Sequence, residues 1–209
     1  MKRTNTKQEI LNAALDLFST QGYEATSILQ IAEKVGIKKA SMYSHFINKQ
    51  DILNSLIEEV LEQYEKNSIF AKNNWVNLDN KFNENDKVAD ALIEMILKQV
   101  KYIVHDPVIS KTRKMLTIEQ FQNEQMRKLQ TKQNYTDVMD YFKKVVCHLV
   151  NINKIIKDDI EMMAIQLCLP ISVWINLCDR ELEKEEEILN LIERHIKHFF
   201  KIYGRNEHW

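Results

Sequence analysis

The sequence predicts an all-α fold in which two successive domains are built from helices. The chain has 209 residues, of which 44% are hydrophobic, and this supplies enough apolar surface for a sizeable core. It contains only three Gly and two Pro, whereas strand-rich domains need turn residues every ~8–12 positions. The apolar residues also recur at helical spacing. These observations favour long helices over sheets.

The first two predicted helices lie on either side of a glycine. Between about residues 6 and 20, the apolar face is formed by Ile10, Ala13, Ala14, Leu17 and Phe18. Gly22 follows, and it is suited to end this helix in a backbone conformation that other residues rarely adopt. Thr26 or Ser27 supplies an oxygen that caps the second helix, and Gly36 ends that helix.

The next two predicted helices are a short one and a long one. The short helix covers about residues 38–45, with Met42 and Phe46 turned inward. Asn48 and Asp51 are both plausible caps for the long helix, whose apolar stripe runs from residue 52 to residue 64. The polar, Asn-rich stretch of about 66–86 is interpreted as a connector containing at most one helical turn.

The remainder of the chain is predicted to form five more helices. Their apolar periodicity covers about residues 87–104, 108–130, 135–152, 158–178 and 183–203. Asp106-Pro107 marks a break, since Pro fits the first turn of a helix. Pro170 lies inside a predicted helix and is expected to kink it, because it removes an amide donor.

The charge distribution and the cysteine content indicate the kind of environment in which the protein is expected to work. The net charge is −1, but residues 1–50 carry seven Lys or Arg against four Asp or Glu, so a basic head precedes an acidic body. The three Cys show no short-spaced pair, which is typical of free buried thiols in a reducing cytoplasm. No export signal or membrane-spanning segment is predicted, so we expect a soluble, cytoplasmic protein without membrane association.

Residues 20–53 carry the most informative pattern, because two short helices joined by a tight Gly turn form a helix-turn-helix. In such units the second helix lies in the major groove of DNA. Its outward side chains can all donate hydrogen bonds to phosphates or base edges, and they are Lys38, Lys39, Ser41, Tyr43, Ser44 and His45. The small Ala40 would let the helix approach the bases closely.

This segment resembles the tetracycline-repressor (TetR) family of transcriptional regulators. The resemblance is carried, in order and spacing, by Ala14, Leu17-Phe18, Gly22-Tyr23, Thr26, Ile31-Ala32, Val35-Gly36-Ile37, Tyr43, His45-Phe46, Lys49 and Leu53. It covers the first quarter of the chain, and the remainder matches only as a helical body of suitable length. Ala40 stands where the family often has Gly.

The resemblance implies a DNA-binding domain at 1–49 and a helical effector-binding and dimerisation domain at 50–209. Contacts with phosphate are implied for Thr26, Tyr43, His45 and Lys49, contacts with bases for Ser41 and Ser44, and contacts of either kind for Lys38 and Lys39. Phosphate contacts fix the position of a protein on DNA, whereas base contacts specify the sequence. The implied function is that of a repressor, released from a palindromic operator by a small-molecule effector.

Two further sets of residues are candidates for the body's functions. Aromatic and flexible side chains with a few polar groups suit an effector pocket, and the candidates are Tyr102, Met115, Gln120, Phe121, Met139, Phe142, Gln166 and Trp174. The last two helices are broadly apolar and are candidates for a homodimer interface, through Trp174, Leu177, Ile188, Ile192, His195, Ile196 and Phe199. Either set could instead be ordinary intramolecular core.

Other classes of function have weaker sequence support. The chain shows no Gly-rich phosphate loop, no zinc-protease motif and no nucleophile elbow, so we predict no enzyme activity and no cofactor. Cys147-His148 with Cys168 and Cys178 lacks the short spacing of zinc sites, so no metal site is predicted either. The alternatives that remain are a helical protein-interaction module, which residues 179–187 could serve, and an activator without small-molecule control.

Overall fold

The computed structural model describes residues 5–71, 82 and 87–205. Within these ranges the chain forms ten α-helices, and the only strand-like pairing is an isolated bridge between Ile155 and Gly204. In chain order the helices are α1 (Thr6–Gln21), α2 (Ile28–Val35), α3 (Lys39–Met42), α4 (Lys49–Asn67), α5 (Val88–His105), α6 (Pro107–Glu119), α7 (Glu124–Thr131), α8 (Asp137–Asn151), α9 (Ile160–Cys178) and α10 (Glu185–Tyr203). The all-α prediction is therefore confirmed.

The chain divides into two compact units, which are not continuous in sequence. The first unit comprises Met1–Tyr64 and Pro107–Gln130. Its core is formed where α1, α2 and α4 bury Ile10, Phe18, Ile31 and Leu53, and α6 adds Met115 to the same cluster. Helices α6 and α7 therefore belong to the same hydrophobic core as the predicted helix-turn-helix.

The second unit comprises Glu65–Asp106 and Thr131–Trp209. Helix α9 packs against α8 and α10, and α5 packs against α10. The largest buried side chains of α8 and α10 are Tyr141, Phe142 and Phe200. The segment before α9 is tied to the end of α10, since the Ile156 amide donates a hydrogen bond to the Tyr203 carbonyl at 2.7 Å.

The structure corrects two predicted helices. The third helix is shorter than the predicted 38–45, because regular helix ends at Met42 and the chain continues as a turn to His45. The predicted helix at 108–130 is two helices separated by a turn. The turn is stabilised by Asn123, whose side-chain oxygen accepts a hydrogen bond from the Met126 amide at 3.1 Å and so starts α7.

The connector predicted at 66–86 falls mainly outside the described residues. Helix α4 continues to Asn67, and Phe70 and Ala71 immediately after it are buried. A five-residue π-helical segment, Lys132–Thr136, leads into α8. Two boundaries agree closely with the sequence predictions, because Pro107 opens α6 and Asn48 caps α4. Asp159 caps α9.

Helix α9 is more apolar than the sequence analysis allowed. Its 19 residues have a mean hydropathy of 1.5 over an 18-residue window, which by length and composition alone would suffice to cross a membrane. The expectation that no segment reaches this level was wrong. Only a third of that window is buried, so α9 presents apolar surface on the outside of the second unit. All three cysteines are free, and Cys147 is exposed rather than buried as expected.

Candidate nucleic-acid interface

The polar side of α3 and the turn after it form an exposed surface. We call the side chains of Lys38, Lys39, Ala40, Ser41, Tyr43, Ser44 and His45 the 38–45 surface, and each of them is exposed. The Tyr43 side chain is 51% exposed. The sequence therefore identified a contiguous set of outward-facing donors.

The 38–45 surface is held in place from beneath by two buried side chains. Met42 and Phe46 are 1% and 3% exposed and belong to the core of the first unit. The His45 and Phe46 amides both donate hydrogen bonds to the Met42 carbonyl at 3.0 Å, so the turn after α3 is bonded to the end of the helix. Because the two anchors alternate with exposed residues, Tyr43 and His45 must face away from the core.

The turn between α2 and α3 sets the direction of the surface. Gly36 has φ 78° and ψ 28°, a left-handed conformation that a side chain would disfavour. The Ile37 amide donates a hydrogen bond back to the Ala32 carbonyl at 3.0 Å, which closes the end of α2. At its other end, α2 begins with a capping box in which Ser27 and Gln30 exchange hydrogen bonds of 2.7 and 3.2 Å.

Thr26 does not occupy the position that the family resemblance implies. The residue is buried, and its hydroxyl donates a hydrogen bond to the Gly22 carbonyl at 2.7 Å. The same oxygen accepts a hydrogen bond from the Gln21 side chain at 3.1 Å. Thr26 therefore stabilises the turn after α1, and in this structure its hydroxyl is not available to a phosphate. Ser27, and not Thr26, caps α2.

Lys49 also has internal partners where a phosphate contact was implied. Its ammonium donates hydrogen bonds to the carbonyls of Tyr23 and Thr26 at 2.8 and 2.9 Å. It lies 4.1 Å from the centroid of the Tyr23 ring, which adds a cation–π contact. The first residue of α4 is thus fastened to the segment between α1 and α2. Its primary role in this structure is to hold the helix-turn-helix together.

A buried carboxylate on α6 completes this segment, and the sequence analysis missed it. Glu119 accepts a hydrogen bond from the Tyr23 amide at 2.7 Å. Gly22 has φ 86°, and a Cβ at that position would come within 3.0 Å of the same carboxylate oxygen. Burial raises the pKa of the Tyr23 phenol, and the charges of Glu24 and Glu119 raise it further. No motif marks Glu119, because its partner lies 96 residues away.

A second link joins three helices of the first unit. Asp16 of α1 forms ion pairs with Lys34 of α2, at 3.3 Å, and with Lys111 of α6. Burial alone would raise the pKa of Asp16, but the two lysines hold it below its ordinary value. Helix α6 is therefore attached to α1 both at Asp16 and at the turn beside Gly22.

The predicted effector-pocket residues are divided between the two units. Met115, Gln120 and Phe121 lie in the first unit, where Met115 is core and the Gln120 side chain donates to the Thr117 carbonyl at 2.9 Å. Phe121 is 87% exposed, which contradicts a role as an interior wall. These three residues do not gather around one site within their unit.

The other five candidates lie in the second unit. Met139 and Phe142 are buried, whereas Tyr102 and Trp174 are half-buried. Gln166 is exposed on α9, and its oxygen accepts a hydrogen bond from the Tyr203 hydroxyl at 2.7 Å, which contradicts an interior position. Tyr102, Met139 and Phe142 remain interior candidates.

The predicted interface residues are corrected in part. Ile188, Ile192, Ile196 and Phe199 are at most 3% exposed in the single chain, so they pack inside the second unit, and the prediction that they form an interface is wrong. Trp174, Leu177 and His195 are half-buried. The His195 Nε2 donates a hydrogen bond to the Leu167 carbonyl at 3.1 Å, and its ring lies edge-on to that of Trp174.

A different stripe on the same two helices is exposed. Met162, Leu169 and Val173 are exposed on α9, at spacings that place them on one face, and Ile202 is exposed near the end of α10. The apolar surface that the sequence predicted is present, but it lies mainly on α9. The regularly spaced apolar residues of α10 are buried within the second unit of the same chain.

Comparison with known proteins places the N-terminal region. Residues 10–56 match the family of bacterial regulatory proteins described as the tetR family. Over 60 residues the chain is 42% identical to the HTH-type transcriptional regulator HbdR of Aromatoleum sp., and over 58 residues it is 38% identical to IcaR, a negative transcriptional regulator of the biofilm operon icaADBC in Staphylococcus epidermidis. These matches cover 29% and 28% of the chain, but only 26% of HbdR and 31% of IcaR.

Solved structures extend the likeness of fold to the whole chain. A TetR family transcriptional regulator from Pseudomonas syringae has a TM-score of 0.63 at 14% identity, covering 99% of this chain and 100% of its own. SmeT, the repressor of the Stenotrophomonas maltophilia multidrug efflux pump SmeDEF, has a TM-score of 0.62 at 17% identity, with 98% and 93% coverage. Residues 10–56 are therefore similar to the tetR family of bacterial regulatory proteins, and the whole chain shares the all-helical fold of SmeT and the Pseudomonas syringae regulator.

Proposed function

We propose that this chain is a DNA-binding transcriptional regulator that represses its target genes from a palindromic operator in the cytoplasm. The observation that carries the proposal is the 38–45 surface, in which exposed donors follow a glycine turn while Met42 and Phe46 anchor the backbone in the core. A helix presented in this way fits the major groove. Repression is supported by the similarity to IcaR, a negative transcriptional regulator, and to SmeT, a repressor.

DNA binding is assigned to residues 1–49, and effector binding and dimerisation to 50–209. Helix α6 adds structural support to the first function, because Glu119 accepts a hydrogen bond from the Tyr23 amide and Lys111 pairs with Asp16. Helix α7 contributes Met126 and Leu129 to the same core. A single helix-turn-helix reads about half of an operator, so two copies are needed to read a palindrome. The exposed stripe of Met162, Leu169 and Val173 supports a homodimer formed through α9, with α10 beside it.

Control by a small molecule is the finer part of the proposal. A solved complex of SmeT with triclosan has a TM-score of 0.62 to this chain, which covers 93% of it. An effector acts by binding one conformation of the dimer better than the other. Helices α4 and α6 are suited to transmit such a change, because Lys49 and Glu119 hold opposite sides of the segment around Tyr23.

The test uses the purified chain and labelled duplexes that tile the DNA flanking its own gene. Binding is measured by fluorescence anisotropy at about 150 mM salt, because affinity for phosphates falls steeply as salt rises. We expect one duplex to bind far more tightly than the others and footprinting to reveal two half-sites about one helical turn apart. Equal affinity for every duplex would contradict the proposal.

Triclosan is the first effector to test on this complex. Release of the operator by triclosan, at concentrations that leave the protein folded, would support control by a small molecule. If neither triclosan nor a panel of apolar compounds changes operator affinity, the chain is a constitutive regulator. The part of the proposal that concerns effectors then fails, while the part that concerns DNA stands.

A further inference from the structure

An unsatisfied amide lies in the interior of the second unit. Gln99, on α5, is only 5% exposed, and its side-chain nitrogen has no hydrogen-bond partner among the residues that the structure describes. Its neighbours along the buried face of α5, Ile96, Val100 and Ile103, are all apolar and buried. A buried donor without a partner destabilises a fold, and Leu at this position would avoid that cost. The amide therefore needs an explanation other than packing.

An aromatic cluster contacts the same helix through Met95. Met95 is one helical turn before Gln99 and shares its face of α5. The Tyr141 hydroxyl donates a hydrogen bond to the Met95 sulfur at 3.2 Å. The Tyr141 ring contacts those of Phe70 and Phe142 edge-on, with centroids 5.3 and 5.4 Å away. A molecule that reaches Gln99 would therefore meet thioether and ring surfaces.

The same region includes the end of α4. Tyr102 lies three residues after Gln99. Its side chain forms a hydrogen bond with that of Asn67, the last residue of α4. Burial and the charge of Asp106 raise the pKa of Tyr102, and the bond with Asn67 opposes this shift. The α5 face that carries Gln99 is thus bonded to the helix whose first residue, Lys49, holds the turn around Tyr23.

We propose that the Gln99 side-chain nitrogen donates a hydrogen bond to the effector, and that the effector is an uncharged, mostly aromatic molecule with an oxygen acceptor. This inference rests on the proposed control by a small molecule. Stacking surface from Tyr102 and Phe142 provides most of the contact, and Gln99 selects for the acceptor. An ionised group is disfavoured because burying a charge costs far more than burying a ketone or an ester.

The test uses two probes of nearly equal size, benzophenone and diphenylmethane, which differ in one carbonyl oxygen. Binding to the full-length protein is measured by calorimetry in the absence of DNA. We expect the wild-type protein to bind benzophenone about tenfold more tightly, since one hydrogen bond and a satisfied buried donor distinguish the two complexes. Gln99→Leu should bind the two probes equally.

Two further variants control for trivial effects. Gln99→Met keeps an unbranched side chain and should also lose the preference, which guards against a folding defect specific to leucine. Gln133→Leu is the matched control, because its side-chain nitrogen is also buried without a partner among the described residues. This variant should keep the preference for benzophenone.

The outcomes separate this inference from the proposed function. A preference for benzophenone that disappears in both Gln99 variants supports the inference, even if benzophenone does not release the operator. Equal binding of the two probes to wild-type protein, no binding of either, or a preference that follows Gln133 would overturn it. Release of the operator by some other compound, unaffected by Gln99→Leu, would uphold the proposed function and still refute the assignment of Gln99.

Discussion

Individual side chains around the helix-turn-helix divide into those that face solvent and those that hold the backbone. Lys39 and Tyr43 are exposed on the 38–45 surface, whereas the hydrogen bonds of Lys49 are directed to the carbonyls of Tyr23 and Thr26. Two lysines that look equivalent in sequence are therefore expected to act differently. We propose that Lys39 contacts DNA, whereas Lys49 stabilises the protein.

Substitution of these two lysines should produce opposite signatures. Lys39→Gln should reduce the salt dependence of operator binding by about one counterion, with no change in unfolding. Lys49→Gln should instead lower the free energy of unfolding by about 1–2 kcal/mol, because carbonyls that accepted a charged donor lose it. Urea unfolding and binding isotherms at several salt concentrations measure both. A reduced salt slope with unchanged stability in Lys49→Gln would show that Lys49 contacts a phosphate after all.

For individual residues, the sequence predicted which side chains are exposed better than it predicted their hydrogen-bond partners. Tyr43 and His45 were expected to face outward because Met42 and Phe46 occupy the inward positions of the same short helix, and this prediction follows from local spacing alone. The partners of Thr26 and Lys49 depend on how the loop after α1 folds back. Lys49 and Tyr23 are 26 residues apart, so no local pattern reports their contact.

Among the helices, α6 has a role that its sequence does not announce. Its Met115 is buried in the core around α1, and its Lys111 forms an ion pair with Asp16. Its Glu119 accepts a hydrogen bond from the Tyr23 amide. Helix α6 is therefore part of the support of the DNA-binding helices. Periodicity located this helix and Pro107 marked its start, but neither could indicate which helices it packs against.

Removal of the Glu119 carboxylate should loosen the turn after α1. Glu119→Ala leaves the partly buried Tyr23 amide without its acceptor, and we expect a loss of about 1–3 kcal/mol in unfolding free energy together with weaker operator binding. Glu119→Gln retains an oxygen that can accept this hydrogen bond and serves as the matched control. Chemical denaturation and anisotropy at fixed salt measure the two effects. Equal behaviour of the Ala and Gln variants would contradict the role assigned to the acceptor.

In the whole molecule, the apolar stripe on α9 is exposed to solvent, and contacts within a single chain do not cover it. Val173 is 62% exposed, and Met162 and Leu169 lie on the same face of α9. By length and composition alone, this helix is apolar enough to cross a membrane. The sequence predicted an apolar surface on the last two helices but assigned much of it to α10. Both helices are amphipathic or apolar, and only the packing of α10 against α5 and α9 reveals which residues are already covered.

A charge in the middle of this stripe should separate the proposed dimer. Val173→Asp would bury a carboxylate against an apolar partner surface, so we expect light scattering to report a mass near 24.8 kDa, in place of twice that value for the wild-type protein. Operator affinity should fall with it, because half-sites would be bound one at a time. Leu182→Asp, at an exposed leucine outside the stripe, is the control and should remain dimeric. A wild-type protein that is monomeric at high concentration would refute the proposed interface.

The most direct test of the central claim is the operator affinity of Tyr43→Ala, measured by anisotropy at moderate salt beside wild-type protein. The Tyr43 side chain is exposed and is not part of the core cluster of the first unit, so the variant should unfold like wild-type protein. Its affinity should fall by about tenfold or more, as expected when a hydrogen bond to a charged phosphate is lost. Normal affinity of Tyr43→Ala for the operator would show that the 38–45 surface does not dock on DNA.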